Sequence, residues 1–318
     1  MKYFLLFVVL TSHSLFAQQQ IDTSIIFNIG GIKQCIRIKG NDFSKPLILF
    51  LHGGPGGSLM QKIDKISGKL QQHFVVVHWD QRETGKTLQL DKTTEPLTLQ
   101  LFYNDTHDVI DTLLRRFHRS KLYLVGYSWG SALGFYIADK YPELLFAYIP
   151  VSPLIDQSRS DSISLAMLKE TMGKKARSEL AQVKIPFENW EQLYYHRKWL
   201  LKQEGQKFVS VTLRKSFVQA WAATWFDVFV QSCNINRFNS LPTINCPVYF
   251  FAGEKDYNAN HSITKEYFNM VSAPKKDLFL FAGAGHGLPE TDAGLFQDII
   301  IDKILPTTFN SPDGKISH

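Results

Sequence analysis

The stretch that most constrains this chain is residues 122–134. An apolar run at 122–125 is typical of a buried strand, and it leads into Gly126-Tyr127-Ser128-Trp129-Gly130, after which helical spacing begins. A strand, a sharp Gly-x-Ser-x-Gly turn and a helix predict a serine hydroxyl raised above a sheet edge, with unpaired helix N–H groups behind it. An ordinary glycine-rich turn is the alternative, because a short motif alone produces false positives.

Three further polar features follow apolar runs that predict strands. They are the glycine-rich loop 52–58 after the run 46–51, Asp256 after the run 248–252, and His286 after the run 278–281. Ligands gather at the carboxyl ends of strands in open parallel sheets, so these features are expected to meet Ser128 there. The chain order serine, aspartate, histidine is that of hydrolases built around this kind of turn.

These residue types suit acyl transfer. A serine hydroxyl becomes a good nucleophile when an imidazole accepts its proton, and a carboxylate orients that imidazole. We therefore predict Ser128, His286 and Asp256 as a catalytic triad, with the backbone N–H groups of Gly54 and Trp129 as the oxyanion hole. Taken singly, Asp256 could be a helix cap and His286 a turn residue. The conjunction of all four features favours catalysis.

Strands that alternate with helices predict an α/β fold with a mostly parallel sheet and helices on both faces. Residues 25–29 and 33–39 predict a hairpin joined by Gly30-Gly31. Between residues 155 and 241 strand-like runs disappear and helical periodicity dominates, which predicts a helical cap inserted between two parts of the core, 18–154 and 242–318. Aromatic residues crowd this cap, most of them expected in its core and a minority facing a ligand: Trp190, Tyr194, Tyr195, Trp199, Phe208, Phe217, Trp221, Trp225, Phe226 and Phe229.

The first 17 residues predict a signal peptide. Lys2 precedes an apolar run that is too short to span a bilayer, and residues 15–17 form an imperfect cleavage site. The alternative is an N-terminal core strand. We expect export to the periplasm or outside the cell, with no stable membrane anchor after the signal is removed.

Charge distribution and residue spacing argue against nucleic-acid binding, a phosphate-binding loop and a cysteine metal site. The 318 residues carry a formal charge of +6 that is spread along the chain, and no nucleic-acid motif occurs. Gly85-Lys86-Thr87 is not a phosphate-binding loop, because Asp80 stands where its first glycine belongs. Cys35, Cys233 and Cys246 have no metal-ligand spacing, and whether the last two pair stays open. No metal or cofactor is expected.

Three motifs together resemble the proline iminopeptidase branch of the α/β-hydrolase superfamily. They are His52-Gly53-Gly54-Pro55-Gly56, Asp80-Gln81-Arg82 and Gly126-Tyr127-Ser128-Trp129-Gly130-Ser131. The resemblance covers the chain after the predicted signal and implies an α/β-hydrolase fold with a cap. It also implies release of an N-terminal residue, usually proline, from small peptides. In that family acidic residues, largely from the cap, bind the substrate's amine, and the candidates here are Glu179, Glu188, Glu191 and Glu204.

The loop after Arg82 departs from the family pattern. Glu83 stands where the family has a glycine, and Thr87 where it has a serine. A glutamate forced to a positive φ would cost about 1 to 2 kcal/mol. We therefore expect either a reshaped loop or a use for Glu83 near the cleft, which makes it a candidate for substrate binding.

The resulting hypothesis is a serine hydrolase that releases N-terminal proline or another small residue from peptides through an acyl-enzyme. One alternative is a carboxylesterase or amidase that uses the same triad on small substrates, because the fold does not separate these activities. Another is a catalytically inactive member used for binding, against which the complete triad argues.

Overall fold

The computed structural model describes residues 20–205 and 214–309. The predicted signal peptide and Phe208 of the predicted cap lie outside these residues. The strands are β1 (Ile21–Ile29), β2 (Ile32–Gly40), β3 (Leu47–Leu51), β4 (Val75–Asp80), β5 (Leu122–Tyr127), β6 (Leu145–Val151), β7 (Val248–Gly253) and β8 (Lys276–Phe281). The helices are α1 (Ile63–Ser67), α2 (Gly85–Leu90), α3 (Leu99–Phe117), α4 (Trp129–Lys140), α5 (Gln157–Thr171), α6 (Lys174–Leu180), α7 (Trp190–Gln203), α8 (Lys215–Cys233), α9 (Arg237–Ser240), α10 (His261–Met270), α11 (Leu288–Thr291), α12 (Ala293–Ile299) and α13 (Leu305–Phe309).

The eight strands form one sheet in the order β1-β2-β4-β3-β5-β6-β7-β8. β1 pairs with β2, and β2 with β4, in antiparallel fashion, and all the other neighbours run parallel. The predicted hairpin is confirmed, because Ile29 pairs with Ile32 around two glycines at positive φ. The parallel strands place the carboxyl ends of β3, β5, β7 and β8 at one edge, where the predicted site residues follow them.

Both faces of the sheet are buried. In β3 the side chains of Leu47, Leu49 and Leu51 belong to one apolar cluster, and those of Ile48 and Phe50 belong to the cluster on the other face. Alternate residues of a strand point to opposite faces, so an unbroken apolar run requires cover on both sides. Helices α3, α4 and α10 contribute to the first cluster, and α12 to the second.

Helices α5 to α9 are inserted between β6 and β7 as a helical cap. A bridge between Asp156 and Asn236 joins the start and end of the insertion. The cap has an apolar cluster of its own, which includes Leu168, Leu180 and Leu200. Helix α8 also reaches the main core, where Trp225 and Val228 are buried, so the cap is packed on the core rather than tethered to it.

The C-terminal part of the described chain is not one continuous helix. The structure divides this region into α11, α12, a π-helical turn (Ile300–Ile304) and α13. Asp292 leaves the helical conformation, with φ −120° and ψ 32°, and so separates α11 from α12. Among the described residues, no helix is both long and apolar enough to cross a membrane.

Candidate active site

Ser128 lies on the turn between β5 and α4, with φ 52° and ψ −118°. Its N–H donates to the carbonyl of Val151 at 2.9 Å, and its carbonyl accepts from the N–H of Ser131 at 2.8 Å. A Cβ on Gly126 would lie 2.9 Å from the carbonyl oxygen of Gly130, and a Cβ on Gly130 would overlap the carbonyl of Leu51. Only glycine therefore allows the strand and helix to approach this closely.

The structure brings the three predicted triad residues together. His286 Nε2 lies 2.9 Å from Ser128 Oγ. On the other side of the ring, Nδ1 lies 2.9 Å from Asp256 Oδ2 and 3.1 Å from Oδ1. Asp256 is fully buried, and its Oδ1 also accepts the N–H groups of Asn258 and Ala259 at 3.0 and 2.9 Å. The carboxylate thus organises its own loop as well as the imidazole.

Two opposing influences act on the His286 imidazole. Burial lowers the pKa of His286, but the negative charge of Asp256 and its hydrogen bond outweigh burial, so the pKa lies above the ordinary 6.5. The backbone of this loop is held as well, because the hydroxyls of Tyr127 and Ser152 donate to the carbonyl of His286 at 3.1 and 3.2 Å. His286 is therefore held through both its imidazole and its backbone carbonyl.

The glycine-rich loop after β3 lies against Ser128. A Cβ on Gly53 would sit 3.1 Å from the Cβ of Ser128, and Gly54 lines the same cavity as Ser128. Trp129 is the first residue of α4, so its N–H has no intrahelical acceptor. The cap contacts the loop from above, because Trp221 Nε1 donates to the carbonyl of Pro55 at 2.9 Å.

A cavity of about 210 Å³ opens over Ser128. Helix α7 contributes Tyr194, Arg197, Lys198 and Leu201, which share one face because they are spaced by three and four residues. The remaining lining is mostly apolar and comes chiefly from α8 and from the segments that follow β6 and β7: Leu154, Gln157, Leu193, Phe217, Val218, Trp221, Phe229 and Asn258. Arg197 is not among the residues predicted from the sequence, although its helical spacing from Tyr194 and Leu201 was the available signal.

The structure does not bring Glu83 to this cavity. Glu83 adopts φ 57°, so the conformation suited to glycine is kept, and its Oε1 accepts the N–H of Thr93 at 2.6 Å. Thr87 Oγ1 donates to the carbonyl of Asp80 at 2.5 Å and accepts the N–H of Cys35 at 2.9 Å. These two departures from the family pattern therefore stabilise the loop locally.

Asp80 and Arg82 anchor the same loop. Arg82 forms a two-pronged pair with Asp105, at 2.8 Å from Nε to Oδ2 and 2.8 Å from Nη2 to Oδ1, with both side chains fully buried. Asp80 Oδ2 accepts the N–H of Lys86 at 2.7 Å. Neither residue lines the cavity over Ser128.

The four acidic candidates of the cap differ in their surroundings. Glu179 pairs with Lys198 and with the indole of Trp199, while Glu188 pairs with Lys184 and Glu191 with Lys215. Glu204 is different, because its Oε1 is buried and has no hydrogen-bond partner within residues 20–205 and 214–309. Burial and the nearby charge of Asp256 raise the pKa of Glu204 to about 7.

Comparisons with known proteins agree with this architecture. The family model described as serine aminopeptidase, S33, matches residues 43–292. A probable aminopeptidase, YbaC, of Bacillus subtilis (strain 168) is 30% identical over 297 residues, covering 86% of this chain and 93% of that protein. A proline iminopeptidase of Lactobacillus delbrueckii subsp. bulgaricus is 22% identical over 285 residues, covering 85% and 93%.

Among solved structures, a proline iminopeptidase of Mycobacterium smegmatis superposes with a TM-score of 0.63 at 19% identity, covering 90% of this chain and all of that one. At 19% identity this similarity is evidence for the fold alone, and it confirms the predicted α/β-hydrolase fold. The resemblance drawn from the three sequence motifs is likewise confirmed by the family match. The chain belongs to the serine aminopeptidase family S33 of α/β-hydrolases.

Proposed function

We propose that this hydrolase is a serine aminopeptidase that releases an N-terminal residue, proline or another small residue, from short peptides through an acyl-enzyme. The observation that supports it most is the pair of contacts made by His286, 2.9 Å to the hydroxyl of Ser128 and 2.9 Å to the carboxylate of Asp256. A hydroxyl, a base and an orienting carboxylate in line are what nucleophilic acyl transfer requires.

In the proposed reaction Ser128 Oγ attacks the carbonyl carbon of the first residue while its proton passes to His286 Nε2. The negative charge on the carbonyl oxygen is stabilised by the N–H groups of Gly54 and Trp129. His286 then gives the proton to the leaving amine, and the peptide bond breaks. Water repeats the sequence on the ester, with its proton going to His286 and the serine oxygen leaving with that proton.

Glu204 is proposed to bind the free amine of the substrate. Its unpartnered carboxylate oxygen lies on the cap, and the charges of Asp256 and His286 act on its pKa. A buried acceptor without a partner is costly, and an ammonium group would supply both the hydrogen bond and the opposite charge. The other three acidic candidates, Glu179, Glu188 and Glu191, already have cationic partners.

The alternative is a carboxylesterase with the same triad. The observation in its favour is the lining of the cavity, which is mostly apolar apart from Gln157, Arg197, Lys198 and Asn258. An ester without an amine would offer no hydrogen-bond donor to Glu204 Oε1, so an esterase would not explain this buried oxygen.

The two candidates are separated by a panel of aminoacyl-naphthylamides, the same compounds N-acetylated, and acyl-nitrophenyl esters. We expect turnover of the free-amine compounds, proline among them, and loss of turnover on acetylation. Exclusive turnover of the esters would establish the alternative. A fluorophosphonate probe should label the wild-type protein and leave Ser128→Ala unlabelled.

A carboxylate replacement tests the amine site directly. Glu204→Gln is expected to lower kcat/KM for free-amine substrates about 10- to 100-fold, the range for a hydrogen bond to a charged group, and to leave ester hydrolysis within about twofold. Glu191→Gln, on the exposed face of α7, is the matched control and should change neither. Equal losses on both substrate classes in Glu204→Gln would argue against an amine-binding role.

A further inference from the structure

We propose that Gln81 is a positioning residue that sets the two oxyanion donors, Gly54 and Trp129, in register with each other. The proposal rests on the serine hydrolase function proposed above and adds to it a residue that contacts no substrate. The two donors belong to separate segments, the loop after β3 and the first turn of α4. Their spacing therefore depends on whatever joins these segments behind the cavity.

Gln81 joins them with three hydrogen bonds. It directly follows β4 and is fully buried. Its Oε1 accepts the indole N–H of Trp129 at 3.0 Å, and its Nε2 donates to the carbonyl of His52 at 3.1 Å. Its backbone N–H donates to His52 Nε2 at 3.2 Å. One side chain thus holds the residue that begins α4 and the residue that begins the glycine-rich loop.

The orientation of the Gln81 amide follows from its partners. An indole N–H only donates and a carbonyl oxygen only accepts, so the amide oxygen must face Trp129 and the amide nitrogen must face His52. A rotation of the amide by 180° would break both bonds. Each end of the side chain is therefore specific, which a merely space-filling role would not require.

The His52 ring links Gln81 to the glycine-rich loop through a second hydrogen bond, to the carbonyl of Gly53. Burial lowers the pKa of His52, so the ring is neutral, and because Nε2 accepts from Gln81 the proton lies on Nδ1. Nδ1 then donates to the carbonyl of Gly53 at 2.9 Å, an oxygen that also accepts the N–H of Gly57 at 3.1 Å. The Gly53 carbonyl and the Gly54 N–H belong to one planar peptide unit, so fixing the oxygen fixes the direction of the N–H.

This matters because an oxyanion hole works by geometry. Its donors must lie about 2.7 to 3.1 Å from the position that the charged oxygen reaches in the transition state, and loss of one donor typically lowers kcat about 10²- to 10³-fold. A shift of one donor relative to the other weakens transition-state binding more than substrate binding. Gln81 is therefore expected to affect kcat and to leave KM almost unchanged.

Gln34 offers a matched control. It is also fully buried, and its Oε1 accepts the indole N–H of Trp79 at 2.8 Å. Its Nε2 donates to Asp105 Oδ2 at 2.8 Å and to the carbonyl of Ile29 at 3.1 Å. These partners lie on β4, α3 and β1, and none of them belongs to the proposed oxyanion hole. Gln34→Met removes a buried side-chain amide and its hydrogen bonds at another place in the core.

The experiment compares Gln81→Met with Gln34→Met. We would measure kcat and KM on an aminoacyl-naphthylamide, the pH profile of kcat/KM, and inhibition by an aminoacyl trifluoromethyl ketone, whose serine adduct carries an oxyanion. For Gln81→Met we expect a fall in kcat and in inhibitor affinity of about 10- to 100-fold, somewhat less than for the loss of a donor. KM should stay within about threefold, with the same pH midpoints. Gln34→Met should keep kcat and inhibitor affinity within about threefold.

A second variant covers the case in which Gln81→Met does not fold. Trp129→Phe keeps an aromatic ring but removes the indole N–H, and it should lower kcat and inhibitor affinity in the same proportion. The proposal is overturned if Gln81→Met and Gln34→Met lose the same activity, or if kcat falls while inhibitor affinity is unchanged. Absence of fluorophosphonate labelling in the wild type would instead overturn the serine hydrolase function itself.

Discussion

At the scale of single residues, the site concentrates conformations and charges that cost stability. Ser128 holds a positive φ that costs a non-glycine residue about 1 to 3 kcal/mol. Hydrogen bonds to Val151 and Ser131 on either side of the turn keep it there. The Oε1 atom of Glu204 is buried and accepts no hydrogen bond from the residues that the structure describes. Such features persist at functional sites because the surrounding packing over-determines them.

Gly130→Ala tests how closely β3 and α4 approach. The new methyl group would overlap the carbonyl of Leu51, and overpacking of this kind typically costs about 1 to 3 kcal/mol. We expect a lower free energy of unfolding in urea and a fall in kcat, because the nucleophile is displaced. Gly173→Ala is the control, since a Cβ there meets no atom within 4 Å. Equal stability of the two variants would contradict this close packing.

The raised pKa of Glu204 also predicts that the stability of the protein depends on pH. Its pKa is raised in the folded protein to about 7 from 4.5, so the folded state binds the proton more tightly between these values. Stability attributable to this group is present below pH 4.5 and is lost as pH rises through 7. Glu204→Gln should therefore be more stable than wild type at pH 8, by an amount on the order of 2 kcal/mol, and differ little at pH 4.5. Urea unfolding at both pH values measures this difference in the free energy of unfolding, with Glu191→Gln as control.

At the scale of elements, the segment between β4 and α3 is held by one buried ion pair. Arg82 reaches from the loop after β4 to Asp105 on α3, and it also donates to the carbonyl of Gly30 at 2.9 Å in the turn between β1 and β2. Three elements distant in sequence are joined there. This pair joins the segment that follows Arg82 to α3 and to the hairpin turn.

Asp105→Asn should destabilise the protein strongly. Removing one partner leaves the Arg82 charge buried and unpaired, which typically costs about 3 to 5 kcal/mol. The same helix supplies a control, because Asp111 pairs with Arg115 at 3.0 Å on the exposed face. Asp111→Asn should cost less than about 1 kcal/mol. Thermal and urea unfolding of the two variants give the comparison, and similar losses would contradict the role assigned to the buried pair.

At the scale of the whole molecule, the cap and the core share a boundary that carries the cavity. Trp221 and Trp225 of α8 approach the glycine-rich loop, while the face of α7 closes the cavity from above. The cavity over Ser128 and the packing around the glycine-rich loop are thereby built from both parts of the chain. The three cysteines, by contrast, are all buried thiols, and no disulfide joins Cys233 to Cys246.

Thiol titration tests that last point. Burial raises the pKa of Cys233 and Cys246, the latter to about 12, and also that of Cys35. Thiolates are the reactive form, so the folded protein should react slowly with an aromatic disulfide reagent. Denaturation without a reductant should release three reactive thiols. One thiol only would mean that Cys233 and Cys246 pair.

We propose further that residues 1–17 are removed during export. Expression of the full chain in a bacterium should yield an extracytoplasmic protein whose N-terminus is Gln18, measured by intact mass and N-terminal sequencing. Ala17→Asp should block processing, because signal cleavage requires a small residue at this place. An unprocessed protein that stays in the cytoplasm would contradict the proposal.

The sequence by itself predicted the mostly parallel sheet, the helices on its faces and a helical insertion between its strands, because apolar runs, glycine-rich turns and helical spacing act over a few residues. It also singled out Ser128, Asp256, His286, Gly54 and Trp129 through motifs that follow strands. The buried Oε1 that distinguishes Glu204 from the other three acids, the anchoring of Glu83 away from the cavity, and the pairing of Arg82 with Asp105 were decided only by the tertiary structure. The same holds for the bonds from Gln81 to His52 and Trp129, which span 29 and 48 positions. Contacts over such separations depend on how the elements pack, and no local pattern encodes them.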